Sequence, residues 1–323
     1  MSERDDARWL ATAACLGERA RPLSRPNPAV GAILVRDGIV VGRGWTRPGG
    51  RPHAEAVALT QAGEAARGAT LYVTLEPCAH RSERGPACAD LLAEAGIARA
   101  VVGVSDPDPR TAGKGVELLC AQGIDVRVAN DAICGAGLAG YLARRTLGRP
   151  FVTLKLAVTA DGFVARPDGT SKWITGEAAR GHVHRERARH DAILVGGGTL
   201  RADAPRLDVR LPGLEHLSPR RFVLTGGSVP EGWTALREPE EIRSLEAQYL
   251  FAEGGATTAD ALLAAGLVDR LLLYRSPAEF GEGIAAFRDP TSDGVPRGWR
   301  LADRHRLGSD TLEVYTPDEP EGA

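Results

Sequence analysis

The sequence predicts an α/β protein of two domains. Three observations carry that expectation. Apolar, strand-like runs alternate with helical segments in both halves, 323 residues are enough to bury two cores, and Gly148-Arg149-Pro150 interrupts the alternation near the middle. Glycine closes a helix and proline cannot continue one, so the domains are expected at 1–147 and 150–323.

Residues 5–20 read as a helix that stops before the segment Pro22–Pro28, where three prolines forbid regular structure. The apolar runs Ala29–Val35 and Ile39–Gly42 flank Asp37-Gly38, a hairpin signal. A helix follows at 53–66, a strand at 69–75, a helix at 87–95 closed by Gly96, and a strand at 98–104. Residues 116–122 and 124–128 repeat the helix–strand theme, and 131–147 is helical. In the second half strands are expected at 151–158, 192–195, 221–225, 249–252, 268–274 and 311–316, with helices at 177–189 and 258–265. The stretches 202–220 and 279–308 carry weak periodicity and read as loops.

Composition excludes some functions. The apolar share is 43% and the charged share 25%, with 40 basic against 42 acidic residues and a net charge of −2. No general electrostatic attraction to nucleic acid follows from that balance. No apolar run reaches the length of a membrane span, and MSERDDARWL lacks the regions of a signal peptide. The five cysteines, at 15, 78, 88, 120 and 134, are too few and too scattered for a disulfide scaffold. Reduced thiols in a cytoplasmic protein, open to metal, are the expectation.

One constellation carries chemistry: Pro52-His53-Ala54-Glu55, then Glu76-Pro77-Cys78, then Cys88 after nine intervening residues. A catalytic zinc needs three protein ligands and one open position for water. His53, Cys78 and Cys88 supply one imidazole and two thiolates. Glu55 follows His53 on the same helix, where it can move a proton without ligating. Zinc lowers the pKa of a bound water to about 7, and a neighbouring carboxylate can take that proton and return it to a departing amine. Each residue alone is more simply a surface histidine or a core thiol. Together they form the zinc-deaminase pattern, apart from a cysteine spacing longer than the common C-x-x-C.

That spacing, with other segments, resembles one family. Arg25-Pro-Asn-Pro-Ala-Val-Gly31, Pro52-His-Ala-Glu55, Thr74-Leu-Glu-Pro-Cys-Ala-His80, Gly85-Pro-Ala-Cys88 and Ser105-Asp-Pro-Asp-Pro109 are similar to the bifunctional deaminase–reductase of riboflavin biosynthesis. In the second half Lys155-Leu-Ala-Val-Thr-Ala-Asp-Gly162, Ser171-Lys-Trp-Ile-Thr175, Asp191-Ala-Ile-Leu-Val195, Ala202-Asp203 and Glu253-Gly-Gly255 agree, in the family's order. The resemblance implies a cytidine-deaminase-like three-layer α/β/α domain followed by a dihydrofolate-reductase-like α/β domain. It implies hydrolysis of an amine from a phosphoribosylated diaminopyrimidinone, then reduction of the ribose to a ribityl chain with NADPH.

By the same resemblance, Zn2+ falls to His53, Cys78 and Cys88, and the proton shuttle to Glu55. Asn27 and His80 face the first substrate. Ser171, Arg187, Leu207, Arg210 and Glu253 surround the second, with Lys155 as a catalytic residue. Ala157, Trp173, Thr199, Asp203 and the segment from Gly255 surround NADPH. Arg187 and Arg210 suit a ribose phosphate because a guanidinium fork makes paired, charge-assisted hydrogen bonds. Expected partners are a small-molecule substrate and further copies of the chain, with neither nucleic acid nor membrane.

The chain departs from the family at several positions. The Cys78–Cys88 loop is one residue longer, Thr46 replaces a common histidine, Ala204 replaces an aspartate, Asp208 a threonine, and Gly226 a serine that meets the cofactor. A deaminase of a related pyrimidine or pteridine with a weakened reductase is the alternative, and a nucleic-acid-editing deaminase a more distant one. Gly135-Ala-Gly-Leu-Ala-Gly140 satisfies the dinucleotide fingerprint but lies in a helix, away from a strand end. Gly196-Gly-Gly198 directly follows a strand and is the better cradle for cofactor phosphates.

Overall fold

The structure, a computed structural model, describes residues 3–80, 85–171 and 174–318. The chain divides into two compact units, Met1–Gly148 and Arg149–Ala323.

The first unit runs α1 (Glu3–Gly17), β1 (Gly31–Arg36), β2 (Ile39–Trp45), α2 (Ala54–Ala62), β3 (Thr70–Leu75), α3 (Cys88–Glu94), β4 (Arg99–Val104), α4 (Lys114–Ala121), β5 (Asp125–Val128), α5 (Ala132–Gly137) and α6 (Ala139–Thr146). Its sheet has the order β2-β1-β3-β4-β5, antiparallel from β2 to β3 and parallel from β3 to β5. Asp37 and Gly38 both take positive φ and close a two-residue hairpin, as their pairing suggests. Strand residues alternate between two helical layers. Leu71, Val73, Ala100 and Val102 pack with Ala54 and Ala58 of α2 and Leu92 of α3. Ile33, Tyr72 and Val101 pack with Leu10 and Ala13 of α1 on the other face. The unit is a three-layer α/β/α sandwich.

One buried acid ties α1 to this sheet. Asp6 accepts from Arg99 at 2.9 and 2.8 Å, from Arg127 at 2.8 Å, and from the Tyr72 hydroxyl at 3.1 Å. Burial pushes its carboxyl up, but the two guanidinium contacts outweigh that and hold it below its ordinary value. A lowered native pKa stabilises the fold above the unfolded value of about 3.9, and the contribution is lost as pH falls through the native value. Asp6→Asn should therefore cost about 1–3 kcal/mol at pH 7. In urea melts the gap between the variant and the parent protein should close below about pH 4. A gap that persists at acid pH would remove the ionic explanation.

The second unit contains β6 (Phe151–Val158), β7 (Phe163–Ala165), α7 (Glu177–Ala188), β8 (Ala192–Gly196), α8 (Gly197–Asp203), β9 (Arg220–Leu224), β10 (Trp233–Leu236), β11 (Tyr249–Glu253), α9 (Ala256–Ala264), β12 (Arg270–Arg275), β13 (Ile284–Ala285), β14 (Trp299–Leu307) and β15 (Asp310–Pro317). Eight strands form the sheet β10-β9-β8-β11-β6-β12-β15-β14, parallel as far as β12 and antiparallel beyond it. Val152, Leu154 and Leu156 of β6 face the layer of α9, with Ala259 and Leu262. Ile193, Val195, Phe251 and Tyr274 face Ala179 and Val183 of α7.

The loop expected over 279–308 is corrected here: Trp299–Leu307 is the edge strand β14. Seven of its nine residues are exposed, so it carries no apolar alternation to read. The loop expected over 202–220 begins on the last two residues of α8, holds a short turn of helix at Glu215–Leu217, and gives way to β9 at Arg220.

Candidate active sites

The first site stands where three elements begin or end. His53 is the residue before α2, Glu55 lies in that helix's first turn, Cys78 follows the end of β3, and Cys88 opens α3. His53 Nδ1 lies 3.5 Å from Cys78 Sγ and 3.3 Å from Cys88 Sγ. Ordinary Zn–S and Zn–N bonds at a tetrahedral angle place nitrogen and sulfur about 3.6 Å apart. The three donor atoms lie within 4.8 Å of one another, and one nitrogen with two sulfurs is a donor set zinc favours. The residues fit the ion.

The backbone N–H of Cys88, itself a ligand residue, donates to Cys78 Sγ at 3.3 Å and helps to orient that sulfur. Contact with Cys88 holds the Cys78 thiol below its ordinary value, while Cys88 is pushed above its own. Burial also raises the Glu55 carboxyl, partly opposed by His53.

His53, Glu55 and Cys78 line a cleft of about 220 Å³ that also takes in Asn27 and His80. Asn27 packs against Gly50, whose φ is +86° and where a Cβ would stand 1.8 Å from the Asn27 side-chain nitrogen. Only glycine leaves that room. Among the described residues, His80 Nδ1 is buried without a hydrogen-bond partner.

The cleft holds residues to which the sequence reading gave no role. Asp106 and Asp108 line it with Arg51, Arg110, Tyr141 and Arg145. The Tyr141 hydroxyl donates to Asp106 at 2.8 Å, and burial raises the Asp106 carboxyl. Asp108 is held by Arg110 at 2.6 Å and Arg145 at 3.0 Å, and the Arg110 hydrogen bonds keep its carboxyl far below the usual range. Ser105-Asp-Pro-Asp-Pro109 was visible as a motif, but nothing in it says which side chain faces the metal. Tyr141 and Arg145 gave no signal beyond helical periodicity.

Glu76 fixes this wall. Its carboxylate accepts four backbone N–H groups, from Asp106 at 3.2 Å, Gly113 at 3.1 Å, Gly115 at 3.0 Å and Val116 at 3.2 Å.

The second site lies at the carboxyl ends of the parallel strands, on the α7 side. Lys155 of β6 is paired in register with Glu253, the last residue of β11. Arg187 of α7 donates to both Glu253 oxygens, at 2.6 and 2.9 Å, and to the Asp208 carbonyl at 3.0 Å. The Asp208 carboxylate meets Arg206 at 2.7 Å and Arg210 at 3.1 Å. Lys155, Arg187, Arg210 and Glu253 are thus one charged network, and Leu207, between Arg206 and Asp208, takes a positive φ of 53° and buries its side chain in the core on the α7 side. Burial lowers the Lys155 ammonium, opposed by Glu253, and Arg187 holds the Glu253 carboxyl low against its burial. Asp208, seen in the sequence only as a departure, is the link.

Ala157 shares the α7 face of β6 with Lys155, while Thr199 and Asp203 sit one turn apart on α8 and Gly255 precedes α9. Ser171 lies in the segment between β7 and α7, outside the charged network. Trp173 lies outside the described residues.

Gly196, Gly197 and Gly198 form the turn from β8 into α8. A Cβ on Gly196 would stand 2.1 Å from Thr258 Oγ1, and one on Gly254 would stand 2.8 Å from Thr258 Cβ. Thr258 thus fills the space at both strand ends, whereas nothing stands within 4 Å of where a Cβ would be on Gly198 or Gly255. The first-noticed fingerprint, Gly135–Gly140, lies instead within α5 and α6.

Fold and sites together define a zinc-dependent deaminase joined in one chain to an NADPH-dependent reductase. Residues 3–104 match the cytidine and deoxycytidylate deaminase zinc-binding region, and residues 150–312 match the RibD C-terminal domain. The chain is 34% identical to riboflavin biosynthesis protein RibD of Haemophilus influenzae, over 97% of each chain. It is 37% identical to the RibD of Escherichia coli, covering 85% of this chain and 89% of that one. Among solved structures, Acinetobacter baumannii RibD superposes with a TM-score of 0.85 at 34% identity, over 98% of this chain and 99% of that one. A diaminohydroxyphosphoribosylaminopyrimidine deaminase/5-amino-6-(5-phosphoribosylamino)uracil reductase from Thermotoga maritima gives 0.86 at 30% identity, over 97% and 98%. The chain belongs to the RibD family, the bifunctional deaminase–reductases of riboflavin biosynthesis.

Proposed function

We propose that the first unit removes an amine from the phosphoribosylated diaminopyrimidinone and the second reduces the ribose of the resulting aminouracil nucleotide. The observation that carries this reading is the His53–Cys78–Cys88 triangle with buried Glu55 beside it. Bound zinc supplies Lewis acidity that makes water nucleophilic near neutral pH. Glu55, raised by burial, accepts a proton and delivers it to the departing amine. Asn27, braced by Gly50, and His80, with an uncommitted ring nitrogen, orient the pyrimidine.

In the second unit NADPH supplies hydride, held by Ala157, Trp173, Thr199, Asp203 and the segment from Gly255. Lys155, whose ammonium burial makes easier to deprotonate, gives the balancing proton to the sugar. Ser171, Leu207 and Glu253 position that substrate. Arg187 already spends three donors on Glu253 and Asp208, so it acts mainly by fixing Glu253. The Arg210 side chain is 57% exposed and is the better phosphate ligand.

Copies of the chain associate in this reading, since β14 leaves a nine-residue sheet edge accessible on both faces. Its place is the cytoplasm, in keeping with five unpaired cysteines.

Purified protein given the diaminopyrimidinone nucleotide should exchange one amine for oxygen without NADPH, and gain two further hydrogens with it. Mass spectrometry reads both steps, and light scattering of the same sample should exceed the 34.1 kDa of one chain. An unchanged nucleotide would sink the substrate assignment, and a single-chain mass the association.

A further inference from the structure

We infer that Arg201 reads the 2′-phosphate of the dinucleotide and so makes the second unit prefer NADPH to NADH. The inference rests on the NADPH reading above and assigns one end of that cofactor to a residue to which nothing so far gives a role.

The sheet itself orients the dinucleotide. Lys155 and Glu253 mark the hydride end at the tips of β6 and β11. Moving away from them, the order continues β11-β8-β9, and three strand spacings carry the crevice about 14 Å from β6 to β9. The nicotinamide and the 2′-phosphate stand at opposite ends of the cofactor, with the pyrophosphate between. Gly198 and Gly255, where nothing stands within 4 Å of a Cβ position, follow the middle strands β8 and β11 and leave room for it. The adenosine end then falls at β9, beside the turn Thr225-Gly226-Gly227.

Arg201 is the cation at that place. Gly196 of β8 pairs with Leu224 of β9, which brings the next residues, Gly197 and Thr225, side by side. A Cβ on Gly197 would stand 2.6 Å from Thr225 Oγ1 and 3.1 Å from Arg201 Nη1, so hydroxyl and guanidinium converge on one point. Arg201 is exposed, and among the described residues no acid pairs with it. Gly226 is also exposed, and nothing stands within 4 Å of where its Cβ would be, which leaves room for an anion. Arg237 cannot serve equally well, because its Nη1 is engaged by the carbonyls of Thr225 at 3.0 Å and Gly227 at 2.9 Å. It braces the turn. Beside the open Gly226, the exposed guanidinium fork of Arg201 supplies the anion contact, and such forks suit phosphate.

The test is calorimetric titration of the full chain with NADPH and with NADH, which reads binding without turnover. The parent protein should bind NADPH more tightly. Arg201→Ala should weaken NADPH about tenfold or more, leave NADH within about twofold, and flatten the salt dependence of NADPH binding; Arg201→Lys should fall between. Equal losses for both dinucleotides would place Arg201 at the pyrophosphate and overturn the inference. Unchanged NADPH affinity would overturn it as well, as would a parent protein indifferent to the 2′-phosphate. A parent protein that binds neither dinucleotide would overturn the NADPH reading itself.

Discussion

Glu55→Gln should lower the rate of amine release by about 10²–10⁴-fold or more while leaving zinc content and NADPH oxidation near those of the parent protein. The amide keeps the size and the helix position of the carboxylate but can neither accept nor return a proton. Glu55 is buried next to His53 at the start of α2. The other carboxylates of the cleft are engaged: Glu76 by four backbone N–H groups, Asp106 by the Tyr141 hydroxyl, and Asp108 by Arg110 and Arg145. The residues proposed for reduction of the already deaminated nucleotide, Lys155, Arg210 and Glu253, belong to the other unit. Arg210→Ala should show the converse, sparing ammonia release and raising the KM of reduction. Ammonia and NADPH absorbance, read separately, decide the matter. A folded, zinc-loaded Glu55→Gln protein that had lost both signals would require a shared site instead.

Cys88→Ser should cost zinc and deamination together. The hydroxyl is a far poorer ligand than a thiolate, and Cys88 stands 3.3 Å from His53 Nδ1 as one of three donors. Cys88 also begins α3 and lies in the core, so the fold near the site should loosen as metal leaves. Metal analysis after dialysis should show less than one zinc per chain, and a chelator should reproduce the loss in the parent protein. Full zinc retention in Cys88→Ser would remove Cys88 from the ligand set. Cys134 is a poor substitute: it lies buried beneath Gly103, on the α1 side of the sheet, with its thiol pushed up by burial.

The elements that bury a face were legible in the sequence. The strand expected at 151–158 lies at Phe151–Val158, and those at 69–75 and 98–104 begin one residue later than expected. Their apolar runs are long because both faces of each strand are covered. β14 was not legible, since a strand exposed on both faces has no reason to alternate. The short helix α8 was lost among glycines, although it carries Thr199, Arg201 and Asp203.

The metal cluster was legible because zinc chemistry demands particular side chains at particular places. The rest of its cleft was not. Asp106 follows β4 while Tyr141 and Arg145 share one face of α6, and only the tertiary fold brings the two segments together. In the second unit Arg187 was legible as an arginine suited to phosphate, yet its partners Glu253 and Asp208 show a guanidinium already engaged.

Glu76 gives the first cleft a property that no single distance expresses. The metal ligand Cys78 is two residues from it along the chain, and the backbone carrying Asp106 through Val116 hangs on its two oxygens. Two opposite walls are therefore gauged from one datum. Displacing that buried carboxylate would disturb the strand end before Cys78 and all four backbone contacts at once. The dimensional tolerance of the cleft is thus tied to hydrogen-bond lengths, which pin residues 106–116 from the loop after β4 into the first turn of α4.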